Sequence, residues 1–335
     1  MICTEWDPLE EIIVGDCDPA VEKNSSMLQQ VFEETKEDLD KLADILKQQG
    51  IKVLRPDASQ VDGYKAQPIR PRDNLLVYMD NIYTGKMSVP GRETEHLAYY
   101  DIFRSMFEQG YNWYEQPSAK LNRLDQNETW YGKGETIYAD IYKDKILTHM
   151  ASMTKVGNSL LYNSRGPGSK LGYDWMKRNI PIGTKLLPVD GFGHIDMLWF
   201  MVDDDTVVAY QKDFVPQQLQ NKKIIELYEH MKLIDFKQWS KDISDTGGIY
   251  TDGMLSKWFG GWRSHSIDEC FDTNVLVLAP RKVLLTNPHS GVQRVLEQNN
   301  IEVLSTTTRH GLLWESGAHC FTLDTKREGK IRSVV

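Results

Sequence analysis

The sequence predicts an α/β fold built from one β-β-α-β unit that recurs five times. Three observations predict it: paired β-rich runs separated by turn residues, amphipathic helical spacing after these pairs, and a short apolar strand after each helix. The segments share little sequence identity, so the repeat is one of structure rather than of sequence.

The β-rich pairs predict hairpins. In residues 196–210 the runs MLWFMV and TVVAY flank three aspartates, and turn residues that interrupt β-rich runs are typical of hairpins. Further hairpins are predicted by NLLVYM with IYT, ADIY with KIL, and NVLVLA with VLLT. The first unit lacks a second hairpin strand. The C-terminal run HCFTLD can supply it beside EEIIVG, a pairing that would close the chain into a ring.

Apolar residues at helical spacing predict helices after four of these units. They are Leu39, Leu42, Ala43 and Leu46; Tyr99, Ile102, Phe103 and Met106; Ile224, Leu227, Tyr228 and Met231; and Val292, Val295 and Leu296. A fifth helix is expected in the later part of residues 159–178, because Pro167 and its neighbouring glycines exclude the earlier part. Strands are expected to return as IKVLRP, YNWYEQ, TKLLPV, LIDFKQW and IEVLSTT.

Composition predicts one soluble domain over residues 1–335. No linker rich in Pro, Gly or Ser divides the 335 residues, and 40% of them are hydrophobic. The net charge of −9 argues against nucleic-acid binding, which needs a basic surface. The sequence contains neither an N-terminal signal peptide nor an apolar run of the ~18 residues that a membrane span requires. We therefore expect a cytoplasmic protein without membrane or nucleic-acid partners.

The four cysteines are too few and too scattered for a disulfide framework, and no Cys-x-x-Cys pair suggests a zinc site. Polar residues that could carry chemistry recur instead at the entrances of the predicted hairpins. They are Asp73, Glu135 and Asp140, His194 and Asp196, Asp272, and Cys320 at the start of the closing strand. If the units surround an axis, equivalent positions meet at one end of it. We therefore expect these side chains to face one cavity.

Such a set fits chemistry on a guanidinium group. Carboxylates such as Asp73 and Asp196 hold this planar cation in fork geometry. The bound charge would favour the thiolate form of Cys320, which can attack the central carbon. A histidine side chain titrates near neutral pH, so this residue type at position 194 suits protonation of the leaving amine. Taken singly, each residue also has a common structural explanation, since a lone cysteine beside an apolar strand is usually a core residue.

Other chemistries fit less well. A Cys-His-Asp protease could use the same residue types, but no protease signature surrounds Cys320. Residues 166–170 (GPGSK) lack the strand and spacing of a phosphate-binding loop. No His-x3-His pair supports a metal site beside His194.

Several motifs together resemble a known family, the arginine:glycine amidinotransferases within the guanidine-modifying enzymes. They run nearly end to end: EWDPLEEIIVG at residues 5–15, Pro71-Arg-Asp73, His194-Ile-Asp196, Asn274-Val-Leu-Val-Leu, and Gly317-Ala-His-Cys320. The resemblance implies the pentein fold, a five-bladed, pseudo-fivefold ββαβ propeller. It also implies a covalent amidino intermediate on Cys320, a general acid and base at His194, and orienting carboxylates at Asp73 and Asp196. No cofactor or metal is implied, and a homodimer is expected by analogy.

The sequence departs from the family pattern in two places. The family has a catalytic acid at the start of the third hairpin. Matching the strand end at Ile146 places Glu135 on this acid, and this is the preferred assignment. Matching Ala-Asp instead makes Asp140 the second acid of the stretch and puts Ile137 at the catalytic position. The family arginine that binds the substrate α-carboxylate has no counterpart, and Lys212 is the candidate replacement. Transfer from arginine to an amine, possibly glycine, is the predicted function. Hydrolysis of the arginine-deiminase type and guanidine binding without turnover are the alternatives.

Overall fold

The computed structural model of the chain describes residues 2–21, 26–61, 66–86, 92–117, 144–164, 168–191, 194–230, 270–314 and 316–335. Within these residues the strands form five three-stranded sheets. They are β1 (Leu9–Val14), β2 (Lys52–Leu54), β3 (Leu75–Tyr78), β4 (Asn81–Thr84), β5 (Asn112–Glu115), β6 (Met153–Val156), β7 (Ser159–Asn163), β8 (Lys185–Val189), β9 (Trp199–Asp203), β10 (Thr206–Ala209), β11 (Lys223–Glu226), β12 (Leu276–Ala279), β13 (Lys282–Thr286), β14 (Glu302–Thr306) and β15 (Thr322–Arg327).

The α-helices of the described residues lie between the strands. They are α1 (Ser26–Gln48), α2 (Pro71–Asn74), α3 (Tyr100–Glu108), α4 (Lys170–Asn179), α5 (Ser290–Gln298) and α6 (Gly311–Trp314). The helical spacing predicted α1, α3 and α5, and α4 lies in the later part of residues 159–178, as expected. These four predictions are confirmed. Among the described residues we find no helix whose length and hydropathy would let it cross a bilayer.

All five sheets share one topology. Two antiparallel strands form a hairpin, and the third strand pairs in parallel with one of them. In the second sheet, for example, Ile82 of β4 lies opposite Val77 of β3 and Trp113 of β5. In the first sheet β15 takes the place of the hairpin partner, with Leu323 opposite Ile13 of β1. The predicted pairing of the C-terminal run with the first strand is therefore confirmed.

The third hairpin differs from its prediction. Its strands are β6 and β7, whereas ADIY and KIL had been expected to form it. Residues 139–142 lie outside the described part of the chain, and described residues 144–147 are not in a strand. The error has a physical reason: residues 159–163 are buried along their whole length, and such a strand has no alternation to set it apart from a helix.

The fourth unit corrects a predicted helix. Ile224 and Leu227 show helical spacing, yet Ile224 lies in β11, and Tyr228 follows in a short 3-10 turn. β11 pairs in parallel with β10, with Ile225 opposite Val208. A few apolar residues at helical spacing do not exclude a strand, and here pairing with a buried neighbour outweighs the local pattern. The last residue of the predicted helix, Met231, and the run LIDFKQW lie outside the described residues.

Apolar side chains pack between neighbouring sheets. Each hydrophobic core joins at least two sheets. One core joins the first and second sheets (Ile13, Leu75), and another joins the second and third (Leu76, Leu160). A third core joins the third, fourth and fifth sheets (Leu161, Val207, Val283), and a fourth joins the fifth and first (Leu284, Ile12). The helices α1, α3 and α5 bury one face against these cores. The sheets are thus held by burial of apolar surface between them.

A network of buried charges lies among the sheets. Asp324 of β15 accepts hydrogen bonds from Arg72 (Nη2, 2.8 Å), Lys155 (Nζ, 2.7 Å) and Arg327 (Nε, 2.9 Å). Lys155 also lies 3.3 Å from Glu5. Burial opposes ionisation of Asp324, but the three cations outweigh it and hold its pKa well below the usual range. Each ion in this network is therefore paired, as burial requires.

Candidate active site

The turn that carries Cys320 is fixed by Asn274. Its Oδ1 accepts the backbone N–H groups of both Gly317 and Cys320 at 2.9 Å. Gly317 packs so closely that a Cβ added there would lie 2.6 Å from the Asn274 carbonyl oxygen. Glycine is therefore required at this position, because any side chain would push the turn away from Asn274.

Two polar groups contact the sulfur of Cys320. Nδ2 of Asn274 donates to Sγ at 3.0 Å, and Sγ lies 3.3 Å from Oδ2 of Asp196. The residue is only 1% exposed. Burial raises the pKa of the thiol well above its usual value, and the carboxylates of Asp196 and Asp73 raise it further. Without a bound cation, Cys320 is therefore a neutral thiol that donates to Asp196.

Asp196 lies in a 3-10 turn (Ile195–Met197) that leads into β9. Its Oδ2 accepts Nδ1–H of His319 at 2.7 Å and Nδ2–H of Asn274 at 2.9 Å. Burial opposes ionisation, but the hydrogen bond and charge of His319 outweigh it and lower the pKa of Asp196. The second oxygen, Oδ1, is buried without a hydrogen-bond partner among the described residues. An unpartnered carboxylate oxygen is costly, so Asp196 has an acceptor ready for a ligand.

Asp73 lies in α2, next to two buried arginines. Its Oδ2 accepts from Nη1 of Arg92 at 2.6 Å, and Nε of Arg70 lies 3.5 Å away. The same Arg92 guanidinium also binds Glu95 through Nε and Nη2, at 2.6 and 3.0 Å. Burial opposes ionisation of Asp73, but Arg92 and Arg70 outweigh it and lower its pKa. The other oxygen, Oδ1, lies 3.8 Å from Nδ1 of His194.

His194 connects these groups. Asp73, His194 and Cys320 each present one polar side-chain atom, and the three atoms lie within 4.8 Å of one another. The His194 side chain is 19% exposed, so it is the most open member of this cluster. On its other side, Nε2 lies 3.4 Å from Nδ1 of His149. The arrangement can hold a cation, present a nucleophile and move a proton.

The structure brings together four of the residues predicted from sequence: Cys320, His194, Asp73 and Asp196. Lys212 lies in an exposed 3-10 turn, where its backbone N–H donates to Glu226. Asp272 faces the backbone N–H of His289 at 3.5 Å, and burial raises the pKa of Asp272 to about 6. Glu135 and Asp140 lie outside the described residues.

Three residues that surround the cluster were not predicted from the sequence: Asn274, His319 and His149. Asn274 opens a predicted strand, in the same position as the other site residues, and this position was the signal that could have found it. His319 directly precedes Cys320. His149 precedes the 3-10 turn that leads into β6, so it was hidden by the misplaced third hairpin.

The chain is similar over most of its length to several known proteins. The chain is 24% identical to inosamine-phosphate amidinotransferase 1 of Streptomyces glaucescens, over 98% of its own length and 97% of that protein. It is 23% identical to the mitochondrial glycine amidinotransferase of Danio rerio, over 98% and 83%. The solved structure of an inosamine-phosphate amidinotransferase from Streptomyces griseus superposes with a TM-score of 0.71 at 23% identity, covering 99% of this chain and 97% of that one.

No family model matches the chain. The similarity to the amidinotransferases nevertheless extends over almost the full length in both sequence and structure. The chain is thus similar to named amidinotransferases, and it has the fold of its structural neighbours, the pentein fold.

Proposed function

We propose that the protein is an amidinotransferase that takes the amidino group of arginine onto Cys320 and passes it to a second amine. The observation that carries the proposal is the cluster of Asp73, His194 and Cys320, whose polar atoms lie within 4.8 Å of one another. A nucleophile, a proton carrier and a carboxylate are the groups that this reaction needs. The full-length similarity to named amidinotransferases supports the same reaction.

The guanidinium of arginine binds between the two carboxylates. Asp196 contributes Oδ1, the buried oxygen that lacks a partner among the described residues. Asp73 contributes Oδ1, because Arg92 already occupies its Oδ2. Charge-assisted hydrogen bonds to both oxygens orient the planar cation with its central carbon towards Sγ of Cys320.

Binding of arginine also activates the nucleophile. Asp196 and Asp73 both raise the pKa of the Cys320 thiol in the unliganded site. A guanidinium placed between them offsets that negative charge and adds a cation next to the sulfur, which favours the thiolate. The thiol therefore ionises when the substrate is present, and stays protected from side reactions when it is absent.

The reaction then proceeds in two balanced halves. The thiol proton passes to His194, Sγ bonds to the guanidinium carbon, and the bond from that carbon to the ornithine nitrogen breaks. His194 returns the proton to this nitrogen, so ornithine leaves as an amine and a cationic amidino-thioether remains. In the second half the acceptor amine attacks the same carbon, its proton passes to His194, and the thiolate leaves. Asn274, which donates to Sγ at 3.0 Å, stabilises the thiolate at both stages.

We further propose that the five sheets are the blades of a pseudo-fivefold propeller, so that residues 1–335 form a single catalytic domain. The pairing of β1 with β15 supports this, as do the hydrophobic cores between successive sheets and between the fifth and the first. In such a ring the hairpin entrances meet at one end of the axis. Lys212 follows β10 at that end and remains the candidate for binding the carboxylate of a substrate.

The reaction is tested with arginine labelled at the guanidino carbon, incubated with and without a panel of amines that includes glycine, lysine and aminocyclitol phosphates. We expect ornithine release that depends on one of the amines, with the labelled carbon found in that amine. Labelled citrulline or urea without any amine would instead establish a hydrolase. If arginine stays unchanged with every amine and the protein carries no label, only the alternative of guanidine binding without turnover remains.

Replacing Asp196 with asparagine is expected to weaken arginine binding by about 1.5–3 kcal/mol, because a charge-assisted hydrogen bond becomes a neutral one. The loss corresponds to about 10- to 150-fold in Kd. Isothermal titration calorimetry in a Cys320→Ala background measures it without turnover. Asp205→Asn is the matched control, since that carboxylate is 90% exposed and in a turn. Equal affinity of both variants would remove Asp196 from the binding site.

A further inference from the structure

We propose that His149 is a positioning residue, which accepts a hydrogen bond from Nε2–H of His194 and thereby directs Nδ1 of His194 to the reaction centre. The contact that carries it is the 3.4 Å separation of His149 Nδ1 and His194 Nε2. The inference rests on the proposed function, because it assigns His149 a role in presenting the proton carrier.

The backbone places His149 for this contact. It precedes the 3-10 turn Met150–Ser152 that leads into β6, and its extended backbone (φ −80°, ψ 122°) turns the chain into the sheet. The residue is only 4% exposed. His194 lies opposite, at the entrance of the next hairpin, and the two rings are 5.7 Å apart between centroids. Two neighbouring sheets therefore each contribute one imidazole.

The two nitrogens of His194 face different partners. Nε2 faces His149, whereas Nδ1 lies 3.8 Å from Oδ1 of Asp73. Because Nδ1 is the nitrogen that lies beside Asp73, it is the one that exchanges protons with the reacting groups. An acceptor at Nε2 holds a proton on that atom. Neutral His194 then keeps Nδ1 free as a base, which general acid–base catalysis requires.

The charges around the pair keep His149 neutral. Burial and the positive charge of His194 and of Arg92 and Arg70 outweigh the opposing effect of Asp73 and lower the pKa of His149 to about 3. Two further ionisable groups of the site, Asp196 and Cys320, contact each other, with Sγ 3.3 Å from Oδ2. A neutral acceptor orients the His194 ring without adding negative charge. A carboxylate in the same place would favour the imidazolium form and make it a weaker acid.

Three substitutions of His149 separate these effects. In His149→Asn, Oδ1 is as many bonds from Cβ as Nδ1 of histidine, so it can accept the same hydrogen bond. His149→Leu keeps much of the volume and removes the acceptor. His149→Asp keeps an acceptor and adds a negative charge. His230→Asn is the control, because the His230 side chain is exposed.

The readout is the NMR spectrum of the imidazole nitrogens in the full-length protein labelled with 15N-histidine. The signals of His194 are those that are missing from the spectrum of His194→Asn. In wild type and His149→Asn we expect neutral His194 to carry its proton on Nε2. In His149→Leu we expect this preference to be lost. We expect kcat to fall about 10- to 100-fold, less than the ~10²- to 10⁴-fold that proton transfer contributes as a whole. KM for arginine should stay within about twofold, because His149 does not contact the guanidinium site. In His149→Asp we expect Nε2 of His194 to keep its proton, because the carboxylate also accepts this hydrogen bond.

The spectra decide the inference independently of turnover. If His194 keeps the same tautomer in His149→Leu, or loses its Nε2 proton in His149→Asp, His149 does not position it, and the inference fails even though the enzyme is active. If the spectra change as expected but wild type transfers no amidino group to any amine, the proposed function fails and the hydrogen bond stands. If His149→Leu does not fold, the spectra of His149→Asn and His149→Asp still test the inference. Loss of the Nε2 proton of His194 in either variant would overturn it.

Discussion

Replacing Cys320 with alanine is expected to abolish amidino transfer while the protein still folds and binds arginine. No other described side chain places a nucleophile against both Asp196 and Asn274. Removal of a catalytic nucleophile typically lowers kcat by about 10⁴- to 10⁶-fold. The measurement is intact-mass spectrometry after mixing with arginine, in which wild type gains the mass of one amidino group and Cys320→Ala gains none.

Cys17→Ala provides the control for this experiment. Cys17 is also buried, but its thiol donates to the carbonyl of Phe32, in a hydrophobic core behind α1. Burial also raises the pKa of this thiol, so it is unreactive. The adduct should therefore form in Cys17→Ala at the wild-type rate. Arginine-dependent mass gain in Cys320→Ala would contradict the assignment of the nucleophile.

Replacing Asp324 with asparagine is expected to have the largest effect on stability, a loss of about 3–5 kcal/mol in the free energy of unfolding. The asparagine has the same shape, but it leaves Arg72, Lys155 and Arg327 buried with one carboxylate fewer. An uncompensated buried cation is the reason for the large value. Urea unfolding followed by tryptophan fluorescence measures it, and the midpoint should fall without a change in slope.

The dependence on pH gives a second test of Asp324. Its pKa is lower in the folded chain than in the unfolded one, where it is near ~3.9. The stabilisation is therefore fully present above the unfolded value and is lost as the pH falls towards the folded value. Between about pH 5 and pH 3, wild type should lose more stability than Asp324→Asn. Asp205→Asn should change unfolding by less than about 0.5 kcal/mol, and an equally small change in Asp324→Asn would refute the role of the network.

Much of the secondary structure could be predicted from local pattern. The hairpins of the second, fourth and fifth sheets contain β-rich runs around turn residues, and α1, α3 and α5 show regular apolar spacing. The pairing of β1 with β15 was predicted because the first unit lacked a partner strand. The third hairpin was misplaced because its fully buried strands have no alternating pattern. The helix predicted at β11 was wrong because Ile224 and Leu227 show helical spacing although the strand pairs with β10.

The candidate site was predicted in part. Cys320, His194, Asp73 and Asp196 were expected to meet because each begins or precedes a β-rich run, and the structure brings them together. Arg92 was not expected, although it occupies one oxygen of Asp73. Its segment contains no β or helical pattern that would place it at a hairpin entrance. The catalytic role of Glu135 and the substrate-binding roles of Asp140, Lys212 and Asp272 stay predictions.

The amino-acid sequence by itself determined the alternation of strands and helices and the residue types at the start of each hairpin, because these depend on neighbours within one or two turns of chain. Only the tertiary structure decided which polar atoms share a hydrogen bond. Asn274 reaches Cys320 across 46 positions and His319 reaches Asp196 across 123. Contacts of this kind depend on how the sheets pack against one another, and that packing leaves no local pattern in the sequence.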